Sequence, residues 1–286
     1  MGTPIGSPQG DATDFDASTD PDPRPRGAAF FDLDKTIIAT SSATAFSRPF
    51  YAGGLITGGD VLRMAYAQFV YLVGRADADQ TERLRAQLSS LAVGWDVAQV
   101  SQIVAETLHE LIDPAVYAEA VVLIEEHHAA GRDVVIVSAS GAEIVEPIAA
   151  VLGADRVIAT RMTVEDGKYT GDIDFYAYGE NKASAVRELA ATAGYDLAAS
   201  YAYSDSITDA PMLGAVGHAF AVNPDRALRR LALSKGWGVL TFSRPISLRS
   251  RLAPQPVITV GAVSVAVVVG VLVWRAVVKL RSRRSG

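Results

Sequence analysis

Cysteine is absent from all 286 residues. Its absence excludes disulfides, thiolate nucleophiles and cysteine-held zinc or iron–sulfur centres, so any metal has to be held by oxygen or imidazole. Acidic side chains are missing from Arg244 onward, where eight basic residues stand alone. The formal net charge of −6 therefore hides an asymmetry, because residues 1–243 carry 18 basic against 32 acidic side chains, about −14. A body that acidic lacks the basic face on which nucleic-acid binding depends, and no nucleic-acid partner is expected. Large apolar side chains are scarce in residues 1–26, which are rich in proline, aspartate, glycine and serine. This stretch reads as a disordered leader, and it has neither the basic start nor the apolar run of a secretory signal.

What is present is a chain with 49% hydrophobic residues, enough for a buried core. From Gly27 the apolar run Ala28-Ala29-Phe30-Phe31 ends abruptly in acid, as a buried strand does on reaching a sheet edge. Four later runs have the same form. Residues 133–137 stop at Ser138, 201–203 at Ser204-Asp205, 219–222 at Asn223-Pro224 and 238–240 at Thr241-Phe242. Helical patterns over 142–152 and 182–192 lie between them, closed by Gly153 and Gly194. Strands alternating with helices, and apolar throughout, predict an α/β Rossmann-like parallel sheet covered on both faces, spanning 27–245, with its chemistry at the carboxyl ends of the strands.

The alternation breaks between Thr36 and Gly131, a gap too long for a crossover connection. It reads as an inserted helical cap over about 40–125, with helices at 60–73, 78–91 and 96–111. The first is apolar, but Asp60, Arg63 and Gln68 interrupt it, which suits a bundle better than a membrane. The membrane candidate is 257–274, eighteen residues without a charge, extensible to 278 and flanked by basic residues. A linker over 246–256 precedes this transmembrane helix and a basic tail over 279–286 follows it. Five basic residues after the segment against three before favour a cytoplasmic C-terminus. A folded domain without a signal sequence argues more strongly for a cytoplasmic catalytic domain, on a single-pass protein of the cell membrane.

Asp32 and Asp34 close the first strand. A carboxylate can attack phosphorus directly, splitting hydrolysis into two easier steps through an aspartyl-phosphate, and Asp32 is placed for that role. Asp34 is then the acid that protonates the leaving oxygen and the base that activates water. Two anionic partners at close range need a counter-charge, for which a hard cation with oxygen ligands serves. Asp205 and Asp209 add carboxylates at another strand end, four residues apart. Ser138 and the backbone N–H after it offer donors to a phosphate oxygen, and Lys182 offers a fixed positive charge. The four histidines fit no ligand spacing, and His127-His128 reads as solvent-exposed near a helix end. The segment 166–171 reads as a turn into a short hairpin strand without chemistry.

These segments resemble the motifs of the haloacid dehalogenase superfamily, subfamily IB, in its phosphoserine-phosphatase-like branch with a helical cap. Asp32-Leu33-Asp34-Lys35-Thr36 is similar to the first motif, Ile136-Val137-Ser138-Ala139-Ser140-Gly141 to the second and Lys182 to the third. Ser204-Asp205-Ser206-Ile207-Thr208-Asp209-Ala210-Pro211-Met212-Leu213 is similar to the fourth. The resemblance covers about 27–243. It implies Mg2+ held by Asp32, the Asp34 backbone carbonyl and Asp205, with Asp209 holding its waters, and phosphate bound by Thr36, Ser138, Ala139 and Lys182. The expected activity is that of a phosphatase on a small or lipid-like phosphate ester. A phosphotransferase, a phosphoserine phosphatase and a non-catalytic phospho-ligand-binding regulator stand as alternatives. Phosphoserine phosphatases carry a glutamate nine residues beyond the nucleophile, and Ser41 stands there instead. Glu143 is conceivable as a substitute for it, and a helix-surface acid is the better reading of that residue. The oligomeric state has no signature.

Overall fold

A computed structural model describes residues 26–57 and 92–245. The leader up to residue 25, the cap helices expected over 60–73 and 78–91, and the linker, membrane span and tail expected over 246–286 lie outside the described residues. Among the described residues no helix is long and apolar enough to cross a membrane.

Strand β1 is Ala28–Asp32, buried at every position. It is followed by two short helices, α1 (Ser42–Ala45) and α2 (Ser47–Ala52), and then by α3 (Val97–Leu111) and α4 (Ala118–Ala129). Next come β2 (Asp133–Gly141), α5 (Ala142–Leu152), β3 (Arg156–Glu165), β4 (Lys168–Phe175) and α6 (Glu180–Ala193). The chain closes with β5 (Tyr201–Ser204), α7 (Ala210–Leu213), β6 (His218–Val222), α8 (Arg226–Lys235) and β7 (Gly238–Leu240). The strands form one seven-stranded sheet in the order β4-β3-β2-β1-β5-β6-β7, parallel except for β4.

Alternation along the central strand divides the core. Ala29 and Phe31 face one side with Val134, Ile136, Ile148 and Tyr203, while Ala28 and Phe30 face the other with Val135, Val137, Val186 and Leu228. Helices α4 and α5 cover the first face, with α3 packed against α5, and α6, α7 and α8 cover the second. Helices α5 and α6 end where Gly153 and Gly194 turn left-handed, at φ 74° each.

Two sequence readings shift. The insertion closes earlier than residue 125. Ala39 N–H donates to Ala115 O at 2.7 Å and Tyr117 N–H to Ile37 O at 2.9 Å, so the chain leaves and re-enters at one neck. From there Ala120, Ile124 and His127 of α4 pack into the sheet's own core. Strand β3, absent from the predicted set, is buried only over Ile158–Thr160 and exposed or half-exposed elsewhere. It runs parallel to β2 with Thr160 opposite Gly141, and continues past that strand's end into the antiparallel hairpin with β4. The hairpin therefore overhangs the carboxyl edge of the sheet. There Gly94 N–H donates to Tyr169 O at 2.9 Å and Val97 N–H to Gly167 O at 3.0 Å, tying the hairpin to the insertion.

Candidate active site

Register brings the expected site residues to one edge. Asp32 pairs with Val137, immediately before Ser138, and Phe31 pairs with Tyr203, immediately before Ser204. Beyond β1 the chain turns sharply. Lys35 adopts φ 62°, and Leu33 O accepts the N–H groups of Ile37 at 2.9 Å and Ile38 at 3.1 Å. This turn carries Asp34 past the sheet edge while Asp32 stays at it.

Asp32 is 7% exposed. Its Oδ1 accepts from Lys182 Nζ at 2.7 Å and its Oδ2 from Thr36 Oγ1 at 3.2 Å. Lys182, 2% exposed in the first turn of α6, also donates to Asp209 Oδ2 at 2.9 Å, and Ser204 Oγ donates to the same oxygen at 2.7 Å. Burial pushes the Asp32 carboxyl up to about 8, against the pull of Lys182 and with a push from Asp209. Burial alone would lower the Lys182 pKa, but Asp32 and Asp209 overcome it and raise it, so the ammonium stays charged.

Asp34 is held differently. Its Oδ1 accepts the Ser42 N–H at 2.7 Å and its Oδ2 the Ser140 Oγ at 3.1 Å, and the two serine hydroxyls lie 2.8 Å apart. Neither serine stands out by its local pattern. Ser138 is 1% exposed, and its Oγ accepts from Ser140 N–H at 3.2 Å. Ala139 O accepts from Thr160 Oγ1 at 2.7 Å. Thr36 is wholly buried, so its hydroxyl addresses Asp32 and no open surface.

Asp205 stands just beyond β5, half-buried, and burial with Asp209 pushes its carboxyl up to about 6 against Lys35 and Lys182. Its loop is held by Asp225, also missed in the sequence. Asp225 N–H donates to Asp205 O at 2.9 Å and Asp225 Oδ2 accepts from Ile207 N–H at 2.8 Å. The other carboxylate oxygen caps α8 through Ala227 N–H and Leu228 N–H at 2.8 and 2.7 Å.

Four carboxyls (Asp32, Asp34, Asp205 and Asp209) thus face two lysines (Lys35 and Lys182), a deficit that one divalent cation matches. All four offer hard oxygen donors of the kind Mg2+ prefers. Among the described residues no three acidic or imidazole side chains are already gathered as a ligand set, since Lys182 separates Asp32 from Asp209.

No histidine joins the site. His109 lies 3.2 Å from Asp113 and His128 3.0 Å from Asp155. His127 corrects the solvent-exposed reading. It follows Ala120 and Ile124 on the buried face of α4 and is 3% exposed. Its Nδ1 accepts from Arg132 Nε at 2.7 Å, which leaves Nε2 to donate to Tyr203 Oη at 2.8 Å. Glu143 is half-buried at the start of α5.

This fold and edge are those of a known class. A family model described as haloacid dehalogenase-like hydrolase matches residues 29–214. The chain belongs to that family. It is 62% identical over 259 residues to an inhibition of morphological differentiation protein of Streptomyces azureus, covering 88% of this chain and 94% of that one. It is 59% identical over 262 residues to a probable phosphatase of Mycobacterium tuberculosis, covering 92% and 91%. A solved structure of a protein with unknown function from Bordetella pertussis Tohama I aligns with a TM-score of 0.68 at 29% identity, covering 76% and 99%.

Proposed function

We propose that this chain is a magnesium-dependent phosphomonoesterase working through an aspartyl-phosphate on Asp32. The observation that carries the reading is the pairing of Asp32, buried against Lys182 at 2.7 Å, with Asp34, held beyond the same strand end by neutral donors. A phosphate monoester binds with its oxygens toward Lys182 and the Ser138–Ala139 segment. A carboxylate oxygen of Asp32 attacks phosphorus, the ester P–O bond breaks, and Asp34 gives its proton to the departing alkoxide. Asp34, now ionised, takes a proton from water. That water attacks the aspartyl-phosphate, returning Asp32 and releasing inorganic phosphate. Mg2+ would be held by Asp32, the Asp34 carbonyl and Asp205, with Asp209 behind them, and when bound supplies positive charge to the transferring phosphoryl group.

The uncharged run 257–274 between basic flanks supports a single-pass anchor, with the catalytic domain on the cytoplasmic face and access to lipid-like as well as small phosphate esters.

The test uses the full chain in detergent. Magnesium-dependent phosphate release from 4-nitrophenyl phosphate should vanish in Asp32→Asn. A thermal stabilisation by Mg2+ with beryllofluoride should vanish with it. Turnover surviving in Asp32→Asn sinks the assignment of the nucleophile.

A further inference from the structure

We propose that the outer face of α8 rests on an anionic bilayer surface, a second membrane contact besides the segment 257–274. The proposal deepens the anchor reading and rests on it for the direction from which the bilayer approaches.

Helix α8 reads Arg-Ala-Leu-Arg-Arg-Leu-Ala-Leu-Ser-Lys from Arg226 to Lys235. Leu228 and Ala232 are wholly buried against the second face of the sheet, while Arg226, Arg229, Arg230 and Leu233 are exposed. These four stand at positions i, i+3, i+4 and i+7, so they line one stripe of the helix. Leu233 is 71% exposed, more than any other large hydrophobic side chain among the described residues. The three arginines line a surface hollow of about 460 Å³.

Charge sets this stripe apart. Residues 1–243 carry about −14, yet α8 has three arginines and Lys235 with no acidic side chain among them. Among the described residues none of these four cations forms an ion pair. Asp225, at the helix start, is engaged with the backbone N–H groups of Ile207, Ala227 and Leu228. Uncompensated guanidinium groups around an exposed leucine suit a surface that is anionic at its headgroups and apolar beneath, where arginine reaches phosphate and leucine enters the acyl boundary. A nucleic-acid backbone would satisfy the arginines alone and be repelled by the acidic body. The exit of the chain points the same way. Helix α8 packs against β6 and β7, the outermost strands on that side of the sheet. Asn223, two residues before Asp225, exchanges two hydrogen bonds of 3.0 Å with the backbone of Phe242, which fixes the departing chain beside the start of α8. Residues 246–256 then add Arg249 and Arg251 and span at most about 40 Å, so a bilayer entered at residue 257 lies within reach of this margin.

The experiment uses the full chain, whose lack of cysteine allows single labels. Leu233→Cys, and Val122→Cys on α4 across the sheet, 38% exposed, are each labelled with the polarity-sensitive fluorophore NBD. Both are reconstituted into phosphatidylcholine vesicles and into mixed phosphatidylcholine–phosphatidylglycerol vesicles. The label at 233 should shift to the blue and be quenched by spin-labelled lipid in the mixed vesicles alone, and the label at 122 in neither. High salt should abolish the shift by screening. Adding Arg226→Gln, Arg229→Gln and Arg230→Gln should weaken the contact about 100-fold, at roughly fivefold for each basic residue near an anionic surface. The salt arm reads the same contact in the unaltered helix charge, so the test does not depend on the triple variant folding. A label at 233 that responds alike in both vesicles, persists in high salt, or responds no more than the label at 122 would overturn the proposal and leave the anchor reading intact. So would an equal shift produced by double-stranded DNA in detergent, which would make the stripe a general polyanion site. A chain that does not float with phosphatidylcholine vesicles would overturn the anchor reading and this proposal with it.

Discussion

Replacing Lys182 with methionine keeps the aliphatic stem and removes the charge that two buried carboxylates share. Lys182 Nζ lies 2.7 Å from Asp32 and 2.9 Å from Asp209, and all three side chains are less than a tenth exposed. Breaking a buried ion pair by removing one partner leaves an uncompensated charge and costs about 3–5 kcal/mol. For a domain of this size each kcal/mol moves the midpoint by about 2–4 °C, so the melting temperature should drop by roughly 6 to 20 °C. The measurement is thermal unfolding in EDTA, so that no bound cation masks the loss.

The pH dependence identifies the cause. The folded Asp32 carboxyl titrates at about 8 against 3.8 for a fully solvated aspartate, so between these values the folded chain holds a proton that the unfolded chain has released. Stability of the metal-free protein therefore falls as pH rises from about 4 to 8. Without Lys182 the carboxyl is pushed higher still. The gap between wild type and Lys182→Met should stay level below about pH 8, where both folded proteins hold the Asp32 proton, and widen above it, where only the wild type releases it, and adding Asp32→Asn with Asp209→Asn should recover most of it. A loss under about 1 kcal/mol, or a gap that does not widen above about pH 8, would refute the view of Lys182 as the counter-charge holding this edge together.

His127 makes a prediction of the same kind with the opposite slope. Burial, with Arg132 and His128 adding, pushes its pKa down from 6.5 to about 4. Its contribution is complete above about 6.5 and is lost as pH falls toward 4, about 3 kcal/mol in all. Urea midpoints should show that slope, and His127→Gln should flatten it; an unchanged slope would exclude His127 as its source. Asp225→Asn separates two roles, because asparagine offers one carbonyl oxygen where aspartate offers two. It caps helices as well as aspartate does, so the metal-free melting temperature should hardly move. The Ile207 N–H loses its acceptor, and the Mg2+ concentration giving half-maximal thermal stabilisation should rise several-fold. An unchanged Mg2+ requirement would show that Asp225 only caps α8.

The residues legible in the sequence share one physical property. Asp32, Ser138 and Asp205 each end an apolar run, because a strand buried on both faces must be apolar until it reaches the edge, where polar atoms are admitted. Helix α5 was legible to its last residue for a related reason, with a period of apolar positions closed by Gly153. Strand β3 failed that test because it is half-covered, so the hairpin turn read over 166–171 lacked the partner strand that carries it past the sheet edge. His127 reads as exposed in the sequence because its neighbour His128 is exposed, and adjacent helical positions look alike until the buried face is known. Ser140 and Asp34 are 106 residues apart, and nothing near either position announces the bond between them. Asp225 holds Ile207 from 18 residues away, on the far side of β6.

The same distinction separates the two aspartates to which the proposed mechanism gives the chemistry. Asp32 is fixed entirely from the sheet domain, by Thr36 four residues on and by Lys182 at the start of α6. Asp34 takes one hydrogen bond from each side of the neck, the Ser140 hydroxyl on the sheet side and the Ser42 N–H on the first residue of α1, inside the insertion. Movement of the insertion about the Ala39–Ala115 hinge would therefore carry the Ser42 donor with it and leave the Asp32 cluster where it is. In the proposed mechanism the position of the acid, Asp34, is in this way tied to the insertion as well as to the sheet, while the nucleophile, Asp32, is tied to the sheet alone.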